Sequence, residues 1–333
     1  MDATRIINLQ ALREQNPQQN NQTIHFNPQH FQRVEFETLF LSHYSTIQTF
    51  NQQYDDGLCV FIFSGTQLIG KAFLKTKMDQ INTLILGRHS QSEVILAADQ
   101  SLSLRHLVFM TYPKAKRLVY RILDLRSRSG FENEVGTHCH SLISDGHGFI
   151  RLNHYHIMCI PAQCASLSNT EPQVAWESLP PRQFNDVPSH TKDLPFSDSC
   201  SSILSTPPPA PLRSRLIQKP VASLELFSGD NYVNQPLDSA MLSTGILIGR
   251  YTRCDKAFQP FLTINSISRI HSLIVEVEGR MYIIDTASTN GTYVNGQRIK
   301  RIPLDFETDI YIGEKDSHHE EGLKLTFKPN KGG

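Results

Sequence analysis

The sequence predicts an all-β protein: two β-sandwiches joined by a Pro/Ser-rich linker, with an N-terminal polar tail and one amphipathic helix. Three observations carry this. Short apolar runs separated by Gly, Asn, Asp and Ser clusters fill residues 57–161 and return over 221–328. Between them, 161–220 holds 11 of the 18 prolines and ten serines, a composition with too little apolar surface to offset ordering entropy. One ordered set of landmarks occurs in both β-rich regions, which marks a duplicated domain.

In chain order, residues 1–27 are polar and Asn/Gln-rich (NPQQNNQ at 16–22) and read as a disordered tail. The segment 28–56 opens with Asn27 as N-cap and Pro28 at the first helical position. Phe36, Phe40, Tyr44, Ile47 and Phe50 recur at three- and four-residue spacing, so 28–54 is expected to be one amphipathic helix packed on the following domain. The first sandwich, 57–161, takes its strands from CVFIF at 59–63, LIGKAF at 68–73, INTLIL at 81–86, LRHLVF at 104–109 and RLVYRILDL at 117–125. After a linker over 162–220, SLELF, GILIGR, HSLIVEV, MYIIDT, TYVNG, DIYIG and LKLTF build the second, 221–328.

Composition narrows the function class. Lys+Arg and Asp+Glu both number 32, which argues against wholesale binding to nucleic acid or an anionic membrane. There is no run of 18 apolar residues and no signal-like apolar region at the N-terminus, and the six cysteines show no disulfide-dense spacing. A cytoplasmic protein is expected.

The repeated landmarks hold the chemistry. Phe63-Ser64-Gly65 precedes Gly87-Arg88 by 24 residues, and Phe227-Ser228-Gly229 precedes Gly249-Arg250 by 22. In each copy an apolar strand runs into Gly-Arg. A Ser-x-x-His follows (Ser103 to His106, Ser268 to His271), then an Asp-led turn, DLRSRSG at 124–130 or DTASTNG at 285–291. Each polar signature lies just past a strand, so the loops can gather at one sandwich end. In the second copy Arg250, Ser268, Arg269 and Thr289 supply two guanidinium groups and two hydroxyls. A phosphate carries about −1.5 to −2 charge and several acceptor oxygens, and needs such clustered donors. Singly, these are ordinary turn residues; their joint order carries the reading.

The series IGR (248–250), SISRIH (266–271), DTASTNGTYVNG (285–296) and TDIYIG (308–313) resembles the forkhead-associated (FHA) domain, a β-sandwich that binds phosphothreonine peptides. The resemblance covers 221–328 well and 57–161 less well. It implies that Ser268, Arg269 and Thr289 contact phosphate, and that Arg250 contacts the phosphate or the loop holding it. It also implies that Asn290 bonds the ligand backbone, that Gly249 and Gly291 allow tight turns, and that His271 braces the loops. The first copy keeps Arg88, Ser103 and His106. Arg128 stands at the Thr289 position, Ser129 at Asn290, Leu104 at Arg269 and Phe131 at Thr292. A serine cannot imitate the reach of the Asn amide, so Arg88, Ser103, Arg128 and Ser129 form a degenerate first site on a retained fold.

Three other features compete. Residues 65–72 (GTQLIGKA) nearly spell a P-loop, but Ala72 replaces the Mg²⁺-binding hydroxyl and a β-like run follows. The stretch 138–164 holds five of 14 histidines and three of six cysteines without metal-ligand spacing; its His154 and His156 read as surface residues. Lys114-Ala115-Lys116-Arg117 reads as a solvated loop. No catalytic set, cofactor or metal is expected. The expected function is a non-enzymatic signalling adaptor that binds a phosphothreonine-containing protein. The alternative is a scaffold whose FHA folds bind partners independently of phosphate. Thr191 and Thr206 in the linker would, if phosphorylated, be internal ligands within or between molecules; an inert spacer is the other reading.

Overall fold

The computed structural model describes residues 33–77, 80–97, 99–186, 200–207, 219–228, 231–255, 265–313 and 323–330. The expected tail over 1–27, the helix start at Asn27-Pro28 and Thr191 lie outside them. The chain divides into two compact units, 1–88 with 93–208, and 89–92 with 209–333.

The first unit opens with helices α1 (Phe36–Ser42) and α2 (Tyr44–Gln52). The single helix expected over 28–54 is therefore broken at His43, whose φ of −118° and ψ of 16° leave the helical region. Ser42 returns its hydroxyl to the Thr38 carbonyl (2.7 Å), a back-bond that bends helices, and the His43 ring is tied to the Thr66 carbonyl at 2.7 Å. The strands that follow are β1 (Gly57–Ser64), β2 (Gln67–Lys75), β3 (Asn82–Gly87), β4 (Val94–Ile95), β5 (Leu107–Lys114) and β6 (Arg117–Asp124). Next come β7 (Phe131–Asn133), β8 (His138–Cys139), β9 (Ser141–Ser144), β10 (Gly148–Leu152) and β11 (Tyr155–Pro161). One sheet runs β2-β1-β11-β10-β7-β8; the second includes β9-β6-β5-β3-β4. Leu58, Val60, Ile62, Leu84, Phe109, Ile122 and Ile157 interlock between them.

The first sheet has a second apolar face. Cys59, Phe61, Phe63, Phe149, Met158 and Ile160 turn away from the sandwich and pack on Phe36, Leu39, Phe40, Tyr44, Ile47 and Phe50 of the helices. Both faces of β1 are therefore buried, and its sequence is accordingly an unbroken apolar run.

The linker expected over 162–220 is corrected for its described first part. A 3₁₀ turn (Ala165–Ser168) and α3 (Pro172–Glu177) join the helical layer through Leu167, Ala175 and Trp176. β12 (Arg182–Asp186) and β13 (Ser201–Thr206) extend the second sheet beyond β9. Its serines are buried by hydrogen bonding rather than by apolar area: the Ser202 amide bonds Asp145 (2.8 Å) and Ser201 Oγ meets His147 (3.2 Å). Thr206 is paired with Ser141 across this sheet rather than lying on an open linker. The expected surface placement of His154 and His156 is also corrected: His156 is 5% exposed, because the helical layer covers its face of the sheet.

The second unit consists of β14 (Ala222–Ser228), β15 (Asn231–Leu237), α4 (Ser239–Thr244), β16 (Ile246–Ile248), β17 (Ser272–Val277) and β18 (Arg280–Asp285). It continues with β19 (Thr292–Val294), β20 (Gln297–Ile299), β21 (Arg301–Pro303), β22 (Thr308–Ile312) and β23 (Leu323–Pro329). Its sheets run β15-β14-β23-β22-β19-β20 and β16-β17-β18-β21. Position by position this is the order of the first unit, β2-β1-β11-β10-β7-β8 with β3-β5-β6-β9, so the duplication extends to topology. Leu224, Leu226, Ile248, Ile274, Ile283, Ile310, Leu325 and Phe327 fill the core.

Candidate functional site

In the second unit the sequence signatures meet at one end of the sandwich. Gly249 ends β16 in a tight approach: a Cβ there would lie 2.3 Å from the Arg269 carbonyl oxygen. The Arg250 amide bonds the Ser268 carbonyl (3.2 Å), and its Nε donates to the Ile267 carbonyl. That anchors the arginine stem, while the residue is exposed and Nη1 reaches the Asn265 side-chain oxygen at 3.4 Å.

His271 joins the second and third loops. Its Nδ1 accepts from the Ser268 amide (3.0 Å), so the ring proton sits on Nε2 and is donated to the Gly291 carbonyl (2.9 Å). The ring is fully buried. The ring links the two loops and lies away from solvent.

The third loop is a compact turn. Asp285 receives the Ser288 amide (2.8 Å) and the Thr292 hydroxyl (2.8 Å); Ser288 Oγ receives the Gly291 amide (2.9 Å). Gly291 has φ +92°, which admits glycine at low strain. Two bonds tie this turn to the Ser268 loop: the Thr289 amide donates to Ser268 Oγ (3.1 Å), and Asn290 Nδ2 donates to the Ser266 carbonyl (2.8 Å). The structure thus brings Arg250, Ser268, Thr289 and Asn290 together. Arg269 and Thr289 are exposed, and the Arg269 guanidinium has no partner among the described residues.

Sequence reasoning gave no role to Asp285, Ser288 or Arg298, although the first two lie in the duplicated Asp-led turn and recur as Asp124 and Ser127 at the same offsets in the first copy. Arg298 had no such recurrence. From β20 its Nη2 donates to the Ser288 (3.1 Å) and Thr289 (3.4 Å) carbonyls, directly behind the turn.

The first unit repeats the frame. Arg88 Nε bonds the Leu102 carbonyl (2.8 Å), His106 links the Ser103 amide (3.2 Å) to the Gly130 carbonyl (3.2 Å), and Ser127 caps the Gly130 amide (2.9 Å). Burial lowers the His106 pKa, with Asp124 opposing. The counterparts of the Thr289 and Asn290 ties do not recur among the described residues. Among the described residues Arg128 and Ser129 make no side-chain bond to the Ser103 loop, and the Ser101 hydroxyl is instead engaged by Asp99 (2.6 Å) and Asn153 (2.8 Å). His138 stands beside Gly130 where Arg298 stands beside Gly291.

The near-P-loop at 65–72 is the β1–β2 hairpin and the start of β2, with no helix after it. Lys114-Ala115-Lys116-Arg117 is the β5–β6 hairpin. No group of three or more His, Cys, Asp or Glu placed to hold a metal occurs among the described residues. No disulfide joins any of the six cysteines, and no described helix is long and apolar enough to cross a membrane.

Fold and loop end together define a β-sandwich that presents arginines and hydroxyls from three braced loops. Residues 246–313, within the second unit, match the FHA domain family. The chain is similar to the FHA-1 domain of Mycobacterium tuberculosis Rv1747, at 24% identity over 34% of this chain and all of that one, with a TM-score of 0.26. It is also similar to the N-terminal FHA domain of Saccharomyces cerevisiae Rad53p, solved with a phosphothreonine peptide (24% identity, 33% and 94% covered, TM-score 0.27). A third similarity is to the FHA domain of Chlamydia trachomatis CT664 (21%, 33% and 97%, 0.27). No curated protein matches the sequence significantly.

Proposed function

We propose that the second unit binds phosphothreonine peptides and that the protein is a non-enzymatic, cytoplasmic signalling adaptor recruiting a phosphothreonine-containing partner. FHA domains are phosphothreonine-peptide-binding modules. The observation that carries the reading is the cross-linked loop set, in which Ser268, Thr289 and Asn290 are held in one frame beside the exposed Arg250 and Arg269. Ser268, Arg269, Thr289 and Arg250 would take the phosphate oxygens, and Asn290 the ligand backbone. The braces are already made within the protein, so little ordering entropy opposes binding.

Calorimetry on the full chain, with a phosphothreonine peptide chosen from an oriented library, tests it. A hydrogen bond to a charged phosphate contributes about 1.5–3 kcal/mol, so Arg250→Ala and Ser268→Ala should each weaken binding roughly tenfold or more. Wild-type affinity in both variants would end the proposal. The missing ties in the first unit favour a second role there: a retained fold that packs or docks without reading phosphate.

A further inference from the structure

The outer face of the second unit's six-stranded sheet carries one continuous row of large side chains that ends at the recognition turn. Cross-strand pairing sets Tyr232 opposite Phe227, Phe227 opposite Lys324, Lys324 opposite Tyr311, Tyr311 opposite Tyr293, and Tyr293 opposite Arg298. Their neighbours in sequence, Val233, Leu226, Leu325, Ile310, Val294 and Ile299, face the core, so the row faces outward. Phe227 and Tyr232 are 40% and 53% exposed, with ring centroids 5.1 Å apart. At the other end Tyr293 donates its hydroxyl to the Asn290 carbonyl (3.0 Å), and Arg298 holds the Ser288 and Thr289 carbonyls. The row is thus continuous with the residues assigned to the phosphothreonine.

Its width selects the occupant. The next outward row, Glu225, Thr326 and Asp309, is polar and internally satisfied: Lys328 pairs with Glu225 (2.8 Å), and Asp309 takes Lys324 (2.8 Å) and the Thr326 hydroxyl (2.7 Å). On that side the strip is bounded by polar groups, and across five strand spacings it is about 24 Å long. A helix about 10–12 Å across would lie half on the polar row; an extended chain of about seven residues fits the strip.

The first unit supplies the contrast. Its equivalent row is Leu68, Phe63, His156, Arg151, Glu132 and His138, and of these Leu68, Phe63 and His156 pack under the chain's own helical segment. Phe36 packs on His156 (5.4 Å) and under Arg151 (4.5 Å), and Arg33 pairs with Glu132 (3.0 Å). There the adjoining outward positions Cys59, Phe61, Met158 and Ile160 are apolar as well, which gives a helix its full width.

We propose that the strip is a docking surface for an extended segment of the phosphothreonine-bearing partner itself, acidic beside Arg298 and apolar or aromatic over Tyr311, Phe227 and Tyr232. The proposal rests on the phosphothreonine reading of this unit. Lys324 is held by Asp309, so Arg298 is the cation that selects the acidic residue. Partner recognition would then have two parts on one chain, with the flanking segment adding affinity once the phosphate is seated.

The test uses the full-length protein and two kinds of synthetic probe. One is a short library-selected phosphothreonine peptide. The others are the same peptide extended at either end by about seven residues, either Glu/Phe/Tyr-rich or Gly/Ser-rich. The Glu/Phe/Tyr extension at one end should tighten binding about tenfold over the Gly/Ser extension. A Phe227→Ser/Tyr232→Ser variant, confirmed folded by its melting temperature, should abolish the gain while binding the short peptide as wild type does. Equal affinity for both extensions, or a gain that survives in the variant, overturns the docking surface while leaving the phosphothreonine reading intact. If the short peptide itself is not bound, the phosphothreonine reading fails and the docking surface falls with it.

Discussion

Acidification should unfasten the first unit through His147. This ring is 2% exposed just before β10, where Nε2 accepts from Arg182 Nη1 at 2.7 Å. The proton must therefore sit on Nδ1, which donates to Ser201 Oγ (3.2 Å). Arg182 begins β12 and Ser201 begins β13, so one neutral imidazole clasps both added strands to the sandwich. Burial first, and the Arg182 charge second, push its pKa down to about 3. His156 is pushed down to about 4, by burial and then by Arg151 and Arg33. In the unfolded chain both would titrate near the ordinary value of about 6.5. Between these limits the unfolded state binds more protons, so stability is full above about pH 6.5 and falls as pH drops toward the folded values. At pH 5, about 1.5 units below the unfolded pKa, each group removes about 2 kcal/mol, or about 4 kcal/mol together. That is a large share of the roughly 5–15 kcal/mol typical of a domain. Asp145 works in the opposite sense, because burial raises its carboxyl. Trp176, the chain's one tryptophan, stacks on Phe149 (5.6 Å) beneath Arg182 and reports the clasp directly. Urea denaturation followed by its fluorescence should show a lower midpoint at pH 5 than at pH 7. In His147→Gln, whose amide can accept from Arg182 and donate to Ser201 without titrating, part of the drop should disappear. An equal drop in wild type and in a His147→Gln/His156→Gln double variant would refute the reasoning, as would no drop at all.

Three further outcomes are expected. Gly249→Ala places a methyl 2.3 Å from the Arg269 carbonyl oxygen, a backbone atom that cannot step aside, so thermal melting should report a loss of about 1–3 kcal/mol together with weakened phosphopeptide binding. His271→Ala leaves the Ser268 amide and Gly291 carbonyl without their ring partner; each buried orphan costs about 1–3 kcal/mol, and urea titration should show destabilisation accompanied by lost affinity. In the first unit, NMR titration of the full chain with micromolar phosphothreonine peptide should leave the Arg88 and Ser103 amides unshifted; phosphate-dependent shifts there would show that the degenerate loops still bind.

What could be read from sequence, and what could not, follows the range of the forces involved. The alternation of SLELF announces a sheet with one wet face, and the unbroken CVFIF announces one covered on both, which the helices α1 and α2 supply. β12 and β13 were hidden in a stretch that composition marks as a linker. Their pairing rests on buried serines bonded to Asp145 and His147, more than fifty residues away in sequence.

By itself the sequence determined the duplication, the two β-rich regions and most of the candidate site. Gly249, Ser268, His271 and Gly291 each meet a stringent local demand, a backbone approach, a turn or a buried ring, which only one or two residue types satisfy. Tertiary structure alone decided which turn is braced. Arg298 reaches the Ser288 and Thr289 carbonyls because β20 folds back on β19, whereas the first copy puts His138 there. It also decided that the row from Tyr232 to Arg298 exists at all. Those six residues are scattered over six strands and become neighbours through cross-strand register, a long-range hydrogen-bonded property that no single stretch of sequence encodes.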